Sequence, residues 1–352
     1  MAFTKGDVPV HGRRRFAAFL GAATTVVAVG MAGGLTASAM AATLSGAGST
    51  LVAPLEADWS TGWQTATGNS ISYSAVGSAT GITDITQRLV DFGASDAPLS
   101  TAQETACKGC VQIPWALSAT AVGFHLNGIS TLKLTGKVIA EIYLGQITNW
   151  DNSQIKALNT GVKLPNKKIS VVFRSDGSGD TYAFTQYLSH VDHTWATKFS
   201  YGTTVSFPTG VAAKGNGGVT ALLTNTNGAI AYVGASYLLS FGGLGAVAVE
   251  NAAGNFEYPN LKNISSAAAA VHSIPADNAI PIVDPPKSAK IAYPISTFTY
   301  AVIPQNTAKA SLLQSFIDYA LTTGQVFGAK LDFPPIPAIV LRRDQSALAS
   351  LS

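Results

Sequence analysis

The chain of 352 residues carries 22 Lys and Arg against 19 Asp and Glu, a formal net charge of +3, and is 47% hydrophobic with 12% charged residues. Its length suggests two folding units, and its apolar content suits a large core rather than disorder. Lys5, Arg13, Arg14 and Arg15 against Asp7 place the whole excess of charge in residues 1–41, so the remainder is close to neutral and bulk electrostatics give no support to nucleic-acid binding.

The chain opens as a signal peptide over residues 1–41. GRRRF (12–16) is a basic n-region, FAAFLGAATTVVAVGM (16–31) an apolar h-region short for a membrane span, and TASAMAA (36–42) offers small residues at A-x-A spacing. The arginine cluster suits Sec export and twin-arginine export alike. No cysteine lies just after the h-region, so the leader shows no lipid-attachment site. Export places the protein in the periplasm, the cell wall or the medium. It also favours a disulfide between Cys107 and Cys110 in ACKGCV, since a zinc site needs two further ligands and a redox C-x-x-C normally opens a helix after a strand. So short a loop restricts little unfolded-chain entropy, which makes its stabilisation modest.

From residue 43 apolar runs alternate with helical patterns. LSGAGST (44–50) leads into a helix marked by Leu51, Leu55, Trp59 and Trp63, with Pro54 in its first turn. ISYSAVG (71–77) alternates as a strand. SATGITDITQRL (78–89) is an amphipathic helix with Ser78 as its N-cap. VDFGASDAPLS (90–100) reads as a short strand and a turn, and ATAVGFHLNG (119–128) as a strand. GKVIAEIYLGQITNW (136–150) is a helix whose pattern fails near Gly145. ISVVF (169–173) is a strand feeding RSDGSGDTYAFTQYL (174–188), and GNGGVTALLTNTNGAIAYVG (215–234) reads as glycines, helix, turn and strand. Residues 252–290 resist assignment. YPISTFTYAVI (293–303) is a strand and AKASLLQSFIDYALTTG (308–324) a helix. Short strands alternating with helices predict an α/β protein with mixed β-sheets flanked by helices.

Three helix starts share one design: GAGST-L (46–51), VG-S-ATG (76–81) and RSDGSGDT (174–181). Each offers free backbone N–H groups at the positive end of a helix dipole, a glycine that admits close approach, and a hydroxyl from Thr50, Ser78 or Ser178. This is an oxyanion-binding chemistry, although ordinary helix capping uses the same residues. GAGSTL lacks the third glycine of G-x-G-x-x-G, no G-x-x-x-x-G-K-[ST] occurs, and Gly177-Ser178-Gly179 is not G-x-S-x-G. A secreted hydrolase using Ser178 is a second reading, weakened because a helix would carry His190 away from the serine. The five histidines are scattered, which argues against a metal site.

LSGAGST, VGSATG, VDFGASDAPLS, RSDGSGD and GNGGV…GAIAYVG, in this order and spacing, resemble the phosphate-binding protein of the high-affinity bacterial phosphate ABC importer over nearly all of 43–340. The resemblance implies a two-lobed type II periplasmic binding protein with a hinge between lobes. It implies no enzyme activity and no cofactor, a single chain, inorganic phosphate as ligand and an ABC permease as partner. Lobe I would span 43–117 plus 292–352 and lobe II 118–291, with crossings near IPWALSATAVGF and IAYPIS. Carried over by motif, the phosphate-binding residues are Thr50, Leu51 (through its backbone), Ser78, Asp96, Arg174, Ser178, Gly179 and Asp180, with Asp176 holding Arg174. Two positions depart from the family's pattern. Leu51 stands where phenylalanine is frequent, and Asp180 where threonine is frequent. Asp180 could accept a proton from the ligand or serve as a helix-start acid. A buried Asp96 carboxylate would accept a hydrogen bond from protonated phosphate and oppose unprotonated sulfate, a discrimination on the order of 10⁴-fold. Another tetrahedral oxyanion, sulfate or molybdate, is the remaining alternative.

Overall fold

The computed structural model of the protein describes residues 41–240 and 242–352. Apart from Ala41, the expected leader lies outside the described residues. In chain order the first elements are β1 (Thr43–Gly48), α1 (Ala53–Thr67), β2 (Ser70–Ala75), α2 (Ser78–Thr86), β3 (Phe92–Ser95), α3 (Thr101–Cys107), β4 (Cys110–Phe124), β5 (Thr131–Leu134), α4 (Gly136–Tyr143), α5 (Ser153–Leu158) and β6 (Ser170–Arg174). There follow α6 (Gly179–Val191), α7 (His193–Lys198), β7 (Val211–Ala213), α8 (Gly215–Asn225), β8 (Ala229–Gly234), α9 (Ala235–Leu239), β9 (Gly245–Glu250), β10 (Phe256–Glu257) and α10 (Leu261–Ala268). The chain closes with β11 (Ser296–Pro304), α11 (Ala310–Leu321), a 3₁₀ segment (Thr323–Leu331) and α12 (Ala338–Ala349).

The strands form a mixed, curled sheet in the order β2-β1-β3-β11-β4-β8-β6-β7, with β9 joining β4, β5 and β10 off that path. The long strand β4 organises it. Its residues Cys110–Ala119 pair antiparallel with β11, and Thr120–Phe124 then pair antiparallel with β8. One strand thus serves two successive stretches of sheet. The return of the chain lies beside the same point, where the Thr120 amide donates to Ile295 O at 2.9 Å, one residue before β11 begins. On one side of this point β1, β2 and β3 run parallel. On the other, β6, β7 and β8 do. Parallel strands bring their carboxyl ends, and the helix starts that follow them, to one edge.

Aromatic side chains fill each stretch. Trp59 of α1 packs on Trp115 of β4 with centroids 5.2 Å apart, and Phe92 and Phe316 complete the cluster. Beyond β4, Tyr143, Phe184, Phe207 and Tyr232 form the counterpart. Burying Phe92, Phe184 or Phe316 rather than exposing it is worth about 1.5–3 kcal/mol each. α1 is set as its sequence predicts: Pro54 sits in the first turn, Leu55, Trp59 and Trp63 are buried, and Gly68 ends the helix at φ 76°.

Several expectations are corrected. The strand expected at 119–128 is Cys110–Phe124. Nearly all of it is buried on both faces, Gln112, Ser118 and Thr120 included, so it shows no alternation of apolar and polar residues. Cys107 and Cys110 end α3 and begin β4, and they are joined in a disulfide. Ser78 is not an N-cap. Gly77 takes that position, with φ 99°, and Ser78 is the first helical residue. The unassigned segment 252–290 holds β10 and α10, and α12 was not expected. Among the described residues no helix is long and apolar enough to cross a membrane.

Candidate functional site

The carboxyl ends of β1, β2, β3 and β6 deliver four short segments to one place. Gly48–Thr50 precede α1, Gly77–Ser78 start α2, Ser95–Asp96 leave β3, and Arg174–Asp180 join β6 to α6. Ser49, Thr50, Ser78, Asp96, Arg174, Ser178 and Asp180 are all at most 7% exposed. Such burial of polar side chains is costly unless they are partnered.

Asp96 is the centre of one group. Its Oδ1 accepts from Ser49 Oγ at 2.5 Å and from Thr299 Oγ1 at 3.1 Å. Its Oδ2 accepts from Ser78 Oγ at 3.3 Å. Thr297 Oγ1 donates to its main-chain oxygen at 3.0 Å. Burial, reinforced by the charge of Asp180, pushes the Asp96 carboxyl up to about 7, against the opposing pull of Ser49, Thr299 and Arg174. The hydroxyls around it have fixed polarity. Ser49 Oγ accepts from the amides of Leu51 and Val52 at 3.0 and 3.3 Å. Ser78 Oγ accepts from the amides of Asp96 and Gly179 at 3.2 and 3.1 Å. A main-chain N–H can only donate, so each of these hydroxyls turns its own proton outward, to a carboxylate or to a bound oxyanion.

Arg174 is the centre of the other group. Its Nε and Nη2 meet the two oxygens of Asp176 at 2.8 and 2.5 Å, a fork-to-fork pair, while Nη1 reaches Asp180 Oδ2 at 2.8 Å. Its side chain is 1% exposed. Burial alone would weaken its charge, but the bonds to Asp176 and the charges of Asp180 and Asp176 more than offset this and raise its pKa. For Asp176 too the cost of burial is outweighed, by Arg174 and the Gly215 amide, and its carboxyl is held low. Asp180 is fully buried. Its Oδ2 also accepts from Asn216 Nδ2 at 2.8 Å, and its Oδ1 from Thr120 Oγ1 at 3.0 Å. Burial raises its pKa despite these partners.

The sequence-predicted residues therefore converge, with two qualifications of role. Leu51 directs its amide to Ser49 Oγ. Asp180 stands in the first turn of α6 and is there the buried partner of Arg174, Asn216 and Thr120. Ser178 is the N-cap of α6, accepting from the Thr181 amide at 3.4 Å. His190, twelve positions on, lies roughly 18 Å along the helix by its rise per residue, and its ring faces Asp284 at 3.7 Å. His190 is thus not placed to serve as a base for Ser178.

Sequence reasoning missed Ser49, Thr120, Asn216, Thr299 and Tyr237. The hydroxyl of Tyr237 is pushed up to about 12 by burial and by the charge of Asp180. Asn216 could have been found, since a lone amide after a glycine at a helix start repeats the design of the other three segments. Thr120 and Thr299 could not, because they are hydroxyls within apolar strands. The arrangement as a whole presents inward-aimed hydroxyls, a pinned guanidinium and two acids of raised pKa. Such a set is chemically suited to a small oxyanion that brings a proton.

A family model described as a PBP superfamily domain matches residues 35–323. The phosphate-binding protein PstS of Xylella fastidiosa (strain Temecula1) is 34% identical over 313 residues, covering 87% of this chain and 85% of that protein. The PstS of Haemophilus influenzae is 34% identical, covering 86% and 91%. In fold, the chain is similar to a putative phosphate ABC transporter substrate-binding protein with bound phosphate from Clostridium perfringens. The TM-score is 0.62 at 24% identity, covering 84% of this chain and 100% of that one. A phosphate-binding protein from Stenotrophomonas maltophilia gives a TM-score of 0.69 at 19% identity, covering 86% and 93%.

Proposed function

This chain belongs to the PBP superfamily and, within it, to the phosphate-binding proteins, and from that premise we infer how it captures inorganic phosphate for an ABC permease. The phosphate-binding set is Thr50, Leu51, Ser78, Asp96, Arg174, Ser178, Gly179 and Asp180. Thr50 and Ser178 donate hydroxyl protons, Ser78 and the helix-start amides of Leu51 and Gly179 turn to the ligand from Asp96, Ser49 and Ser78, the acceptors they hold in this structure, and Arg174, aligned by Asp176, supplies the cation. Asp96 accepts the proton that phosphate retains near neutral pH. Sulfate has no such proton, and against it Asp96 would stand as an acceptor facing an acceptor.

The observation that carries this reading is the polarity of the Asp96 group. Ser49 and Thr299 donate to Oδ1 and Ser78 meets Oδ2 at 3.3 Å. Once Ser78 turns to the ligand, Oδ2 is left to accept the ligand's proton, and burial, which raises the carboxyl's pKa to about 7, strengthens it as an acceptor. Binding in the micromolar range needs about 8 kcal/mol. Hydrogen bonds to a charged group supply about 1.5–3 kcal/mol each, so several of them suffice after the cost of ordering.

Residues 43–117 plus 292–352 form lobe I and residues 118–291 lobe II, hinged where β4 passes from β11 to β8 and where Ile295 meets Thr120. Movement about that point would part Asp96 and Ser78 from Gly179 and Arg174. The protein is exported, acts as a single chain without catalysis, and hands its ion to the membrane permease. Unfolding the purified protein and assaying the released anion tests the ligand. Recovery of about one phosphate per chain supports the reading, and recovery of sulfate or molybdate at that ratio overturns it.

A further inference from the structure

Asn216, the second residue of α8, is fully buried and carries no charge. Its side-chain amide is held so that only one orientation fits. Oδ1 accepts from the Gly234 amide at 2.7 Å, a group that can only donate. Nδ2 donates to Asp180 Oδ2 at 2.8 Å, an oxygen that already accepts from Arg174. Turning the amide over would set N–H against N–H and oxygen against carboxylate.

In that orientation Nδ2 also donates to Thr50 Oγ1 at 2.9 Å, and the main-chain N–H of Asn216 donates to the same oxygen at 3.2 Å. A hydroxyl has two acceptor positions and one proton. Asn216 occupies both acceptor positions, so Thr50 is left with only its O–H to offer. The two residues are 166 positions apart.

We propose that Asn216 is a positioning and specificity residue for oxyanion capture, acting by locking the Thr50 hydroxyl as a donor. This rests on the phosphate-binding reading and deepens it. A hydroxyl so locked can donate to a ligand oxygen but cannot accept the ligand's proton. The ligand's proton is thereby steered away from Thr50 and towards Asp96, so that the ion enters in one orientation. Ser78, whose acceptor positions are taken by two main-chain amides, has the same polarity without help from a side chain. Thr50 depends on Asn216.

A double-mutant cycle read by phosphate titration calorimetry tests this. Asn216→Ala should weaken phosphate binding about tenfold, the worth of one hydrogen-bonded orientation. It should do the same in a Thr50→Ser background, where a hydroxyl remains to be locked. In a Thr50→Val background it should cost nothing further. Equal losses in all three backgrounds would show that Asn216 acts only on packing or on Asp180 and would overturn the proposal, leaving the phosphate reading intact. Failure of the unaltered protein to bind phosphate would overturn both. Should Asn216→Ala lack a cooperative melt, Asn216→Ser carries the same comparison.

Discussion

The amide of Gly179 donates to the hydroxyl of Ser78 at 3.1 Å, across 101 positions of sequence. These are the first residues of α6 and α2, so two helix starts share one hydroxyl. The approach requires glycine, since a Cβ at position 179 would run into the side chain of Asp96 and lie 2.8 Å from its Cα. Gly179→Ala should therefore separate the two segments. Overpacking costs about 1–3 kcal/mol, which corresponds to a fall in phosphate affinity of roughly 10–100-fold. Calorimetry would read the loss, and a retained cooperative melt would assign it to the site rather than to the fold.

Asp96→Asn removes the acceptor that reads the ligand's proton while keeping the side chain's shape. Phosphate affinity should fall by roughly 10–100-fold, matching about 1.5–3 kcal/mol for a charge-assisted bond. Sulfate binding should be unchanged or stronger, because an amide can donate to it. Parallel loss of both ions would remove Asp96 from the selective role.

Asp176 never needs to touch the ligand to matter. It holds two nitrogens of the Arg174 fork, leaving Nη1 directed at Asp180. Asp176→Asn should weaken phosphate about tenfold by loosening that fork. Arg174→Lys should weaken it further, because an ammonium cannot satisfy Asp176 and Asp180 in the same planar geometry. An Asp176→Asn protein with unaltered affinity would show that the pair is structural only.

A stability prediction lies well apart from these residues. Asp344 on α12 is fully buried, and among the described residues neither carboxylate oxygen has a partner. Burial pushes its carboxyl from 3.8 up to about 8, against a small opposing effect of Arg343. Below about pH 4 both the folded and the unfolded chain hold this proton. Between there and pH 8 only the folded chain holds it, so stability falls as pH rises, by at most about 1.4 kcal/mol per pH unit. Asp344→Asn cannot ionise, and its melting temperature should lose that part of the decline. Thermal melts of both proteins across the range give the comparison, and identical slopes would contradict it.

Much of this molecule is legible from its sequence where a local rule has a single outcome. Pro54 and Gly68 frame α1, and the strand–turn–helix pattern of 169–188 announces the Arg174 segment. The legibility ends where tertiary pairing decides. β4 is buried almost throughout and gives no alternation to measure. Ser78 looks like a cap, yet Gly77 takes the capping position and frees the serine for Asp96 and Gly179. Thr120 and Thr299 resemble ordinary strand residues, and only the folded sheet brings them to Asp180 and Asp96. Asp180 could be named but not assigned, because its partner Asn216 lies 36 positions away.

Titration calorimetry with phosphate and with sulfate, at a pH about one unit above and again about one unit below the Asp96 value of about 7, bears most directly on whether an acid selects the ion by its proton. Phosphate should bind in the micromolar range or tighter at both, with sulfate weaker by on the order of 10⁴-fold at the higher pH and gaining at the lower as Asp96 takes up a proton. Equal affinity for the two ions at the higher pH would contradict it.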